Sequence, residues 1–241
     1  MDFSTRAPKG MDKEKTKAET VGLLEELQDL QNMLYAQGRY SVLVVLQGMD
    51  ASGKDGAIKK VFNGVNPMGC SVHAFKAPTD DEKAHDFLWR VHAVAPARGM
   101  IQIFNRSHYE EVLITRVNKW IDDKTAKQRF QHINHFESLL QANDTVVLKF
   151  FLCVSKDEQK ERLQERMDDP TKQWKYKKDD WKVNEQWEDY MKYYEDAIRE
   201  CNDPEWLVVP ADQNWYKEYL IAKTLVTALK KLPLAYPSQT G

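Results

Sequence analysis

A glycine-rich segment at Gly48–Gly56 has the residue types and the spacing to bind phosphate. It reads Gly-Met-Asp-Ala-Ser-Gly-Lys-Asp-Gly, so Gly48 and the pair Gly53-Lys54 match the pattern G-x-x-x-x-G-K. Small residues let successive backbone N–H groups surround a phosphate, the lysine adds a positive charge, and a following helix adds its N-terminal dipole. Asp55 stands where an ordinary nucleotide-binding loop has the Ser or Thr that binds Mg²⁺. The segment therefore predicts a phosphate-binding loop with an unusual phosphate donor.

The sequence on either side of this loop supports that prediction. Val42–Gln47 is a short apolar, β-branched run that is typical of a strand buried on both faces of a parallel sheet. The chain from Lys54 to Phe62 can continue as a helix. The alternative is a glycine-rich turn without a ligand, and it would leave Lys54 and the two aspartates, Asp50 and Asp55, without a role. Strand, loop and helix therefore occur in the order that phosphate binding requires.

A second group of polar residues is predicted to face the same crevice. Asn105 and Arg106 directly follow a predicted strand at Met100–Phe104. In open α/β sheets ligands bind beyond the carboxyl ends of the strands. A guanidinium is always charged, planar and multidentate, so Arg106 suits a phosphoryl group in transfer. The alternative is a surface arginine in a turn.

A basic segment follows the helix predicted after the fourth strand. It carries six cations: Arg162, Arg166, Lys172, Lys175, Lys177 and Lys178. Over a phosphate crevice such a segment would act as a lid that excludes water and adds positive charge. A charge run of this kind is otherwise a solvated face. Asp168–Pro170 forms a hinge-like break just before the lysines, which favours the lid.

Alternating strands and helices predict the architecture. Apolar residues at helical spacing predict a first helix that stops at Gly38; they are Leu23, Leu24, Leu27, Leu30 and Leu34. The rest of the chain predicts an α/β fold, a nucleotide-kinase-like parallel sheet of about five strands between helices. We divide the chain into a mobile leader at 1–19, one domain at 20–237 with a helical lid at about 162–182, and a tail at 238–241.

Capping patterns predict three helix starts. Thr79–Glu82 and Ser155–Glu158 have the form of capping boxes, the first opening a helix that carries Phe87, Leu88 and Val91. Asp212 is predicted to cap the terminal helix, which ends near Lys231. Aromatic residues at helical spacing in the later helices are interpreted as core residues: Trp181, Trp187, Tyr190, Tyr193 and Tyr194.

Composition excludes several classes of protein. The 241 residues are 42% hydrophobic and 30% charged, with a net charge of −2, so any polyanion must bind to a local basic patch. We expect no nucleic-acid partner at this charge and no membrane association, because no apolar run reaches about 18 residues. Three widely spaced cysteines, Cys70, Cys153 and Cys201, predict reduced thiols in a cytoplasm. The histidines lack the Cys or acidic partners of a zinc site.

Taken together, these blocks resemble the polyphosphate kinase 2 family, which transfers phosphate between inorganic polyphosphate and nucleotides. The resemblance covers roughly residues 20–237 and is carried by several segments: Gly48–Gly56, Phe75–Pro78, Phe87–Arg90, Phe104–Glu111, Phe136-Glu137, Lys149, Asp169-Pro170, Trp174-Lys175 and Trp206–Asp212. Phe104–Glu111 and the C-terminal Leu-Ala-Tyr-Pro are similar to the class III branch, which accepts both AMP and ADP.

The resemblance implies a P-loop kinase that transfers the terminal phosphoryl group of polyphosphate to ADP and AMP, reversibly and in line, without a phosphorylated enzyme. It implies Mg²⁺ as the cofactor, with Mn²⁺ as a substitute. It implies adenine nucleotides as substrates, with guanine nucleotides as a second class, and a homo-oligomer that is a dimer or a tetramer. The implied catalytic residues are Asp50, Lys54, Arg106 and Arg166, and the implied metal residues are Asp50 and Glu137. Many relatives have Asp where this chain has Asn105, which shifts metal binding toward Asp50 and Glu137.

We assign the remaining site residues to phosphate and nucleotide binding. They are Gly48, Met49, Ala51, Ser52, Gly53, Asp55, Gly56, Arg90, Asn105 and Arg162. A lysine-rich path is expected to hold the rest of the polyphosphate chain, through Lys172, Lys175, Lys177 and Lys178.

Two other functions fit the same fold. One is an ATP-dependent nucleoside monophosphate kinase, against which Asp55 speaks because the metal-binding hydroxyl is missing. The other is a non-catalytic P-loop protein that senses nucleotide. The intact set of Lys54, Arg106 and Arg166 argues against it, and tight ATP binding without turnover would favour it.

Overall fold

The structure is a computed structural model that describes residues 3–176 and 180–238. Its described strands are β1 (Ser41–Gln47), β2 (Cys70–Ala74), β3 (Ile101–Asn105), β4 (Thr145–Cys153) and β5 (Trp206–Pro210). They form one sheet in the order β2-β3-β1-β4-β5, and each neighbouring pair is parallel. The predicted parallel sheet of about five strands is therefore confirmed.

Helices cover both faces of this sheet. The described α-helices are α1 (Lys13–Gln37), α2 (Lys54–Val61), α3 (Asp80–Lys83), α4 (Trp89–His92), α5 (Ile114–Val117), α6 (Asp123–Gln141), α7 (Lys156–Asp168), α8 (Asp180–Glu185), α9 (Trp187–Glu200) and α10 (Asn214–Lys230). Short 3₁₀ helices occur at Pro67–Gly69, His108–Val112 and Gln173–Lys175. None of the helices described is long and apolar enough to cross a lipid bilayer.

Strand β1 lies at the centre of the sheet and is buried along its whole length. Its side chains alternate between two hydrophobic clusters, as the period of a strand requires. Leu43 and Val45 share one cluster with aromatic residues of α6 and α9, including Tyr190 and Tyr194. Val42, Val44 and Leu46 share the other cluster with α1 and α10. The interpretation of Tyr190 and Tyr194 as core residues is thus confirmed.

The register of the central strands sets the position of the site. Leu46 near the end of β1 is paired with Asn105 at the end of β3. The pairing continues into the loop, where the Arg106 N–H donates to the Leu46 carbonyl at 3.0 Å. The glycine-rich loop after β1 and the residues after β3 therefore leave the sheet side by side.

The N-terminal segment differs from the prediction. Helix α1 begins at Lys13, because the Asp12 side chain caps it by accepting from the Lys15 N–H at 2.9 Å. The residues before this helix also contact the body of the domain: the Phe3 and Phe151 rings lie 5.9 Å apart. The first helix therefore starts within residues 1–19, not after them. Its predicted end is confirmed, since Gly38 adopts a left-handed conformation as the C-cap.

One predicted helix extent and one predicted cap need correction. The capping box of Thr79 and Glu82 is present, but the helix it opens ends at Lys83 and a separate helix begins at Trp89. Asp212 does not cap the terminal helix, which begins at Asn214; its carboxylate accepts from the Ser155 N–H at 2.8 Å and so joins the loop after β4 to the loop after β5.

Candidate active site

A crevice of about 920 Å³ opens at the carboxyl ends of β1, β2 and β3. The structure brings twelve of the predicted site residues to its wall: Asp50, Ala51, Gly53, Lys54, Asp55, Gly56, Asn105, Arg106, Arg162, Arg166, Lys172 and Lys175. They come from the loop after β1 and the start of α2, from the end of β3 and the loop after it, and from helix α7 and the segment that follows it. The predicted grouping of these separate segments around one site is therefore present in the structure.

The first part of the glycine-rich loop shapes the site from behind. Gly48 has a φ of +150°, and a Cβ at this position would lie 2.8 Å from the Leu152 carbonyl oxygen. The Met49 side chain is buried in the core, and Ser52 is fully buried. None of these three residues belongs to the crevice lining, so we assign them to the conformation of the loop, not to direct phosphate contact.

Lys54 lies at the start of α2 and points back into the loop. Its ammonium donates to the carbonyl oxygens of Gly48 at 2.6 Å and Met49 at 3.1 Å, and the residue is 8% exposed. Burial, together with the nearby charge of Arg106, lowers the pKa of Lys54 to about 8. No side chain caps α2, whose N-cap Gly53 is left-handed at φ +89°. The lysine and the open helix N-terminus can therefore receive an anion together.

Arg106 forms an ion pair with Asp50 across the crevice. Burial alone would raise the pKa of Asp50, but the charges of Arg106 and Lys54 outweigh it and lower the pKa. The backbone of Arg106 is left-handed, with φ +60°, which is uncommon for a residue with a side chain. The hydrogen bond to Leu46 holds this conformation and directs the guanidinium toward the glycine-rich loop.

The side-chain amide of Asn105 donates to the Asp55 carboxylate at 2.8 Å. Lys175 reaches the other oxygen of Asp55 at 3.2 Å. Burial would raise the pKa of Asp55, but the hydrogen bonds from Asn105 and Lys175 lower it. The amide at position 105 therefore orients the aspartate that replaces the usual hydroxyl residue.

Helix α7 brings two arginines to the crevice, one turn apart. Arg162 donates to the carbonyls of Ala51 at 3.0 Å and Ala211 at 2.7 Å, which ties the glycine-rich loop to the end of β5. Arg166 is held by Asp180 at 3.0 Å. Arg162 therefore supports the loop, whereas the charge of Arg166 helps to lower the pKa of Asp50.

Two lysines after α7, Lys172 and Lys175, are paired with acidic residues. Lys172 forms ion pairs with Glu165 and Asp169, and Lys175 forms one with Asp55. Lys177 and Lys178 lie outside the described residues, so their predicted place on a polyphosphate path stays a prediction. Trp174 is 78% exposed and lines the crevice beside these lysines, with its ring under the Lys175 ammonium.

The model of the polyphosphate kinase 2 family matches residues 10–235 of this chain. The chain belongs to this family. It is 48% identical over 217 residues to the AMP/ADP-polyphosphate phosphotransferase of Meiothermus ruber, an alignment that covers 89% of this chain and 81% of that protein. It is 42% identical over 231 residues to the ADP-polyphosphate phosphotransferase of Rhodopseudomonas palustris, covering 90% and 80%. The crystal structure of polyphosphate kinase 2 from Arthrobacter aurescens superimposes with a TM-score of 0.91 at 37% identity, over 100% of this chain and 95% of that one.

Glu137 lies in the protein interior and not in the crevice. It is 0% exposed, accepts from the Tyr109 hydroxyl at 2.8 Å and the Lys149 ammonium at 2.6 Å, and lies 3.2 Å from His108 Nε2. Both carboxylate oxygens are bonded to buried groups, so no coordination position faces the substrate. The assignment of Glu137 to the metal shell is therefore corrected to a structural role beneath the loop that carries Arg106.

Arg90 does not line the crevice itself but contacts two residues that do, Phe75 and Lys76. Its guanidinium donates to the Lys76 carbonyl at 2.9 Å and to Glu111 at 3.4 Å, and it is stacked over Phe75. It lines a separate cavity of about 800 Å³ between α3, α4 and α6. Arg90 was predicted to bind phosphate or nucleotide, but the structure does not place it among the residues that line the crevice.

Asp50 and Asp55 are the carboxylates of the crevice that fit a divalent cation. Hard oxygen ligands suit Mg²⁺, which usually takes one or two carboxylates and completes its shell with water and substrate phosphates. The pKa values of both groups are lowered, so both are ionised near neutral pH. Among the described residues no group of three or more His, Cys, Asp or Glu side chains is placed to hold a metal. The donor set therefore fits a cation that shares its shell with the substrate.

Lys217 is a crevice residue that the sequence analysis missed. It lies in the first turn of α10, some 160 residues after the glycine-rich loop, yet its ammonium donates to the Gly53 carbonyl at 3.2 Å. The sequence around it, Asn-Trp-Tyr-Lys-Glu-Tyr-Leu, has no glycine pattern and no run of like charge. Only the packing of α10 against α2 brings this lysine to the site.

Proposed function

We propose that this chain is a polyphosphate-dependent nucleotide kinase that transfers the terminal phosphoryl group of inorganic polyphosphate to ADP and AMP. The observation that carries the proposal is the convergence of Asp50, Lys54, Arg106 and Arg166 on one crevice, with Asp55 in place of the usual metal-binding hydroxyl. The family membership and the names of the Meiothermus ruber and Rhodopseudomonas palustris relatives support it.

Phosphate binding begins at the glycine-rich loop. The backbone N–H groups at the start of α2 and the Lys54 ammonium surround one phosphate group. Lys54 is already held at the loop by two carbonyl oxygens, so the incoming phosphate oxygens take over hydrogen bonds that are oriented in advance. The Lys54 side chain therefore loses little conformational entropy when the substrate binds.

Transfer depends on position and charge. An oxygen of the acceptor's terminal phosphate attacks the terminal phosphorus of the polyphosphate, and the bond from that phosphorus to the bridging oxygen breaks. The electron pair stays on the shortened chain, which leaves as a new terminal phosphate. Arg106 and Arg166 neutralise the charge that spreads over the transferring group. Since both substrates lie in one crevice, transfer is direct and in line, and the same geometry serves the reverse reaction.

Asp50, with Asp55 beside it, would hold Mg²⁺, or Mn²⁺ in its place. When bound, the cation neutralises phosphate charge and fixes the two phosphate groups relative to each other. Arg106 pairs with Asp50, and this ion pair holds the guanidinium at the crevice beside the glycine-rich loop. We also propose that the enzyme acts as a homo-oligomer, a dimer or tetramer, and accepts guanine nucleotides as well as adenine nucleotides.

The deciding measurement is ATP formation from AMP, and separately from ADP, with Mg²⁺ and long-chain polyphosphate but no added nucleoside triphosphate. ATP from both acceptors would establish the donor and both acceptors. ATP from ADP alone would remove AMP from the proposal. No ATP from either acceptor, with transfer from ATP to a monophosphate, would identify an ordinary nucleotide kinase. A Lys54→Met preparation, tested under the same conditions, controls for contaminating kinases.

A further inference from the structure

Lys217 is a buried cation that lies directly against the glycine-rich loop. It is 1% exposed, and its ammonium donates to the carbonyl of Gly53 at 3.2 Å and to the amide oxygen of Asn214 at 2.8 Å. A Cβ at Gly53 would collide with this ammonium. Lys217 also borders the crevice, so its charged end is buried among protein groups but lies next to the space where substrate binds.

Lys217 differs from the lid lysines Lys172 and Lys175 in its partners. Within the part of the chain that the structure describes, it makes no ion pair with a carboxylate, whereas Lys172 is paired with Glu165 and Lys175 with Asp55. Glu218, its neighbour in sequence, borders the crevice and forms no ion pair with it, although the charges of Glu218 and Glu158 partly offset the lowering of the pKa of Lys217. A lysine has three N–H donors, and two of them are used by neutral oxygen atoms.

A buried charge without a counter-ion is unfavourable, so its presence needs an explanation. Burial first, and then the charge of Arg162, lower the pKa of Lys217 to about 8, which still leaves it mostly protonated at neutral pH. An anionic ligand in the crevice would supply the missing negative charge and accept from the third N–H. The start of α10 adds to the attraction, because its first turn contains no acidic residue.

We propose that Lys217 binds a phosphate group of the donor polyphosphate chain, next to the phosphate held by the glycine-rich loop. This inference rests on the proposed function, and it names a path for the donor. The chain leaves the loop between the N-termini of α2 and α10, on the side of the crevice where Lys217 and Arg162 meet Gly53. Lys172 and Lys175, which already have carboxylate partners, then contribute less to holding the chain.

Three variants test this path. Lys217→Gln removes the charge and keeps a side chain able to donate to the Gly53 carbonyl, Lys217→Arg keeps the charge, and Lys231→Met removes one charge from the exposed end of the same helix. We would measure the KM for polyphosphate at saturating ADP, the KM for ADP, and the Kd for tripolyphosphate by calorimetry without nucleotide. Thermal unfolding of each variant checks the fold.

Lys217→Gln should raise the polyphosphate KM and the tripolyphosphate Kd by about tenfold or more, the loss expected for one charge-assisted hydrogen bond. The KM for ADP should stay unchanged. The slope of log KM against log salt should fall by a little under one, as expected when one cation stops contacting a phosphate chain. Lys217→Arg should restore most of the affinity, and Lys231→Met should behave as wild type.

Two results would overturn the inference. The first is a Lys217→Gln enzyme whose polyphosphate KM, salt slope and tripolyphosphate Kd stay within twofold of wild type. The second is a fall in kcat and in melting temperature with unchanged affinity, which would make Lys217 a support for Gly53 only. Failure of the proposed function looks different, since wild type itself would then form no ATP from polyphosphate. The calorimetric comparison still decides in that case whether Lys217 binds a phosphate chain.

Discussion

Replacement of Glu137 by leucine probes the buried cluster that lies beneath the Arg106 loop. Glu137 of α6 joins Lys149 of β4 to Tyr109, a residue of the segment that follows Arg106. Lys149 also donates to the Cys201 carbonyl at 2.8 Å, and both charged groups are 0% exposed at their side chains. The cluster therefore ties together three elements at a depth that water does not reach.

The expected loss of stability follows from the partner that remains. Without Glu137 the ammonium of Lys149 stays buried without a counter-ion, and breaking a buried pair in this way typically costs about 3–5 kcal/mol. In a domain of this size each kcal/mol shifts the melting temperature by about 2–4 °C. Glu137→Leu should therefore lower the melting temperature by roughly 6–20 °C.

Thermal unfolding followed by circular dichroism measures this effect. The double variant Glu137→Leu with Lys149→Met should recover much of the loss, because it replaces both charges by apolar groups of similar volume. Lys156→Met is the matched control: it breaks an exposed ion pair with Glu188, which is expected to be worth less than about 1 kcal/mol. A Glu137→Leu protein that melts no lower than Lys156→Met would refute the reasoning.

The same pair predicts a direction for the pH dependence of stability. Burial would raise the pKa of Glu137, but the hydrogen bond from His108 and the charge of Lys149 outweigh it and lower the pKa. A carboxyl with a lowered pKa stabilises the fold above its ordinary pKa, and this contribution is lost as the pH falls through the folded-state pKa. Wild type should therefore lose more stability on acidification than the double variant, in melts recorded between about pH 7 and pH 4.

Three predictions concern the reaction itself. Arg106→Ala should lower kcat by about 10³–10⁵-fold, as for other arginines that stabilise a phosphoryl-transfer transition state. Replacement of the exposed Arg98 by alanine is the control and should leave kcat unchanged. Near-normal turnover of Arg106→Ala would exclude the proposed role of Arg106. The pKa of Lys54 is lowered to about 8, so its charge is present below that pH and lost above it; kcat/KM for polyphosphate should fall as the pH rises through about 8, and a flat profile would contradict this. Asn105→Asp should lower the Mg²⁺ concentration that gives half-maximal activity, because it places a second carboxylate beside Asp55. Asn105→Ala, the control, should not lower it. An unchanged Mg²⁺ requirement in Asn105→Asp would show that no cation binds there.

The sequence predicts the parts of the site that are local in the chain. The strand, loop and helix around Lys54 follow from the glycine spacing and from the apolar run before it. The position of Arg106 at the site is predicted because it directly follows the apolar strand at Met100–Phe104, and parallel strands end at the same edge of the sheet. For these residues local structure and topology are enough, and the register of β1 and β3 confirms their juxtaposition.

Residues whose role depends on packing were predicted less well. Glu137 was expected in the metal shell and Lys149 was noted only as a matching position, and nothing in the sequence around them shows that they meet each other in the core. Arg90 follows an apolar segment as Arg106 does, but carboxylates hold it in another cavity. A charged residue's partner is set by tertiary contacts, which the spacing of residues along the chain does not reveal.

The distribution of charge in the crevice shows why composition was a weak guide to the ligand. The chain as a whole carries −2, yet Lys54, Arg106, Arg166 and Lys217 reach one cavity from four separate segments. Two of these cations are already paired with carboxylates of the protein: Arg106 pairs with Asp50, and Arg166 pairs with Asp180. A polyanion can compete for them when it binds. Lys217 has no such partner, so its attraction for phosphate needs no ion pair to be broken. It should therefore act early, when the chain first enters the crevice, and the paired arginines should act later, when charge develops on the transferring group.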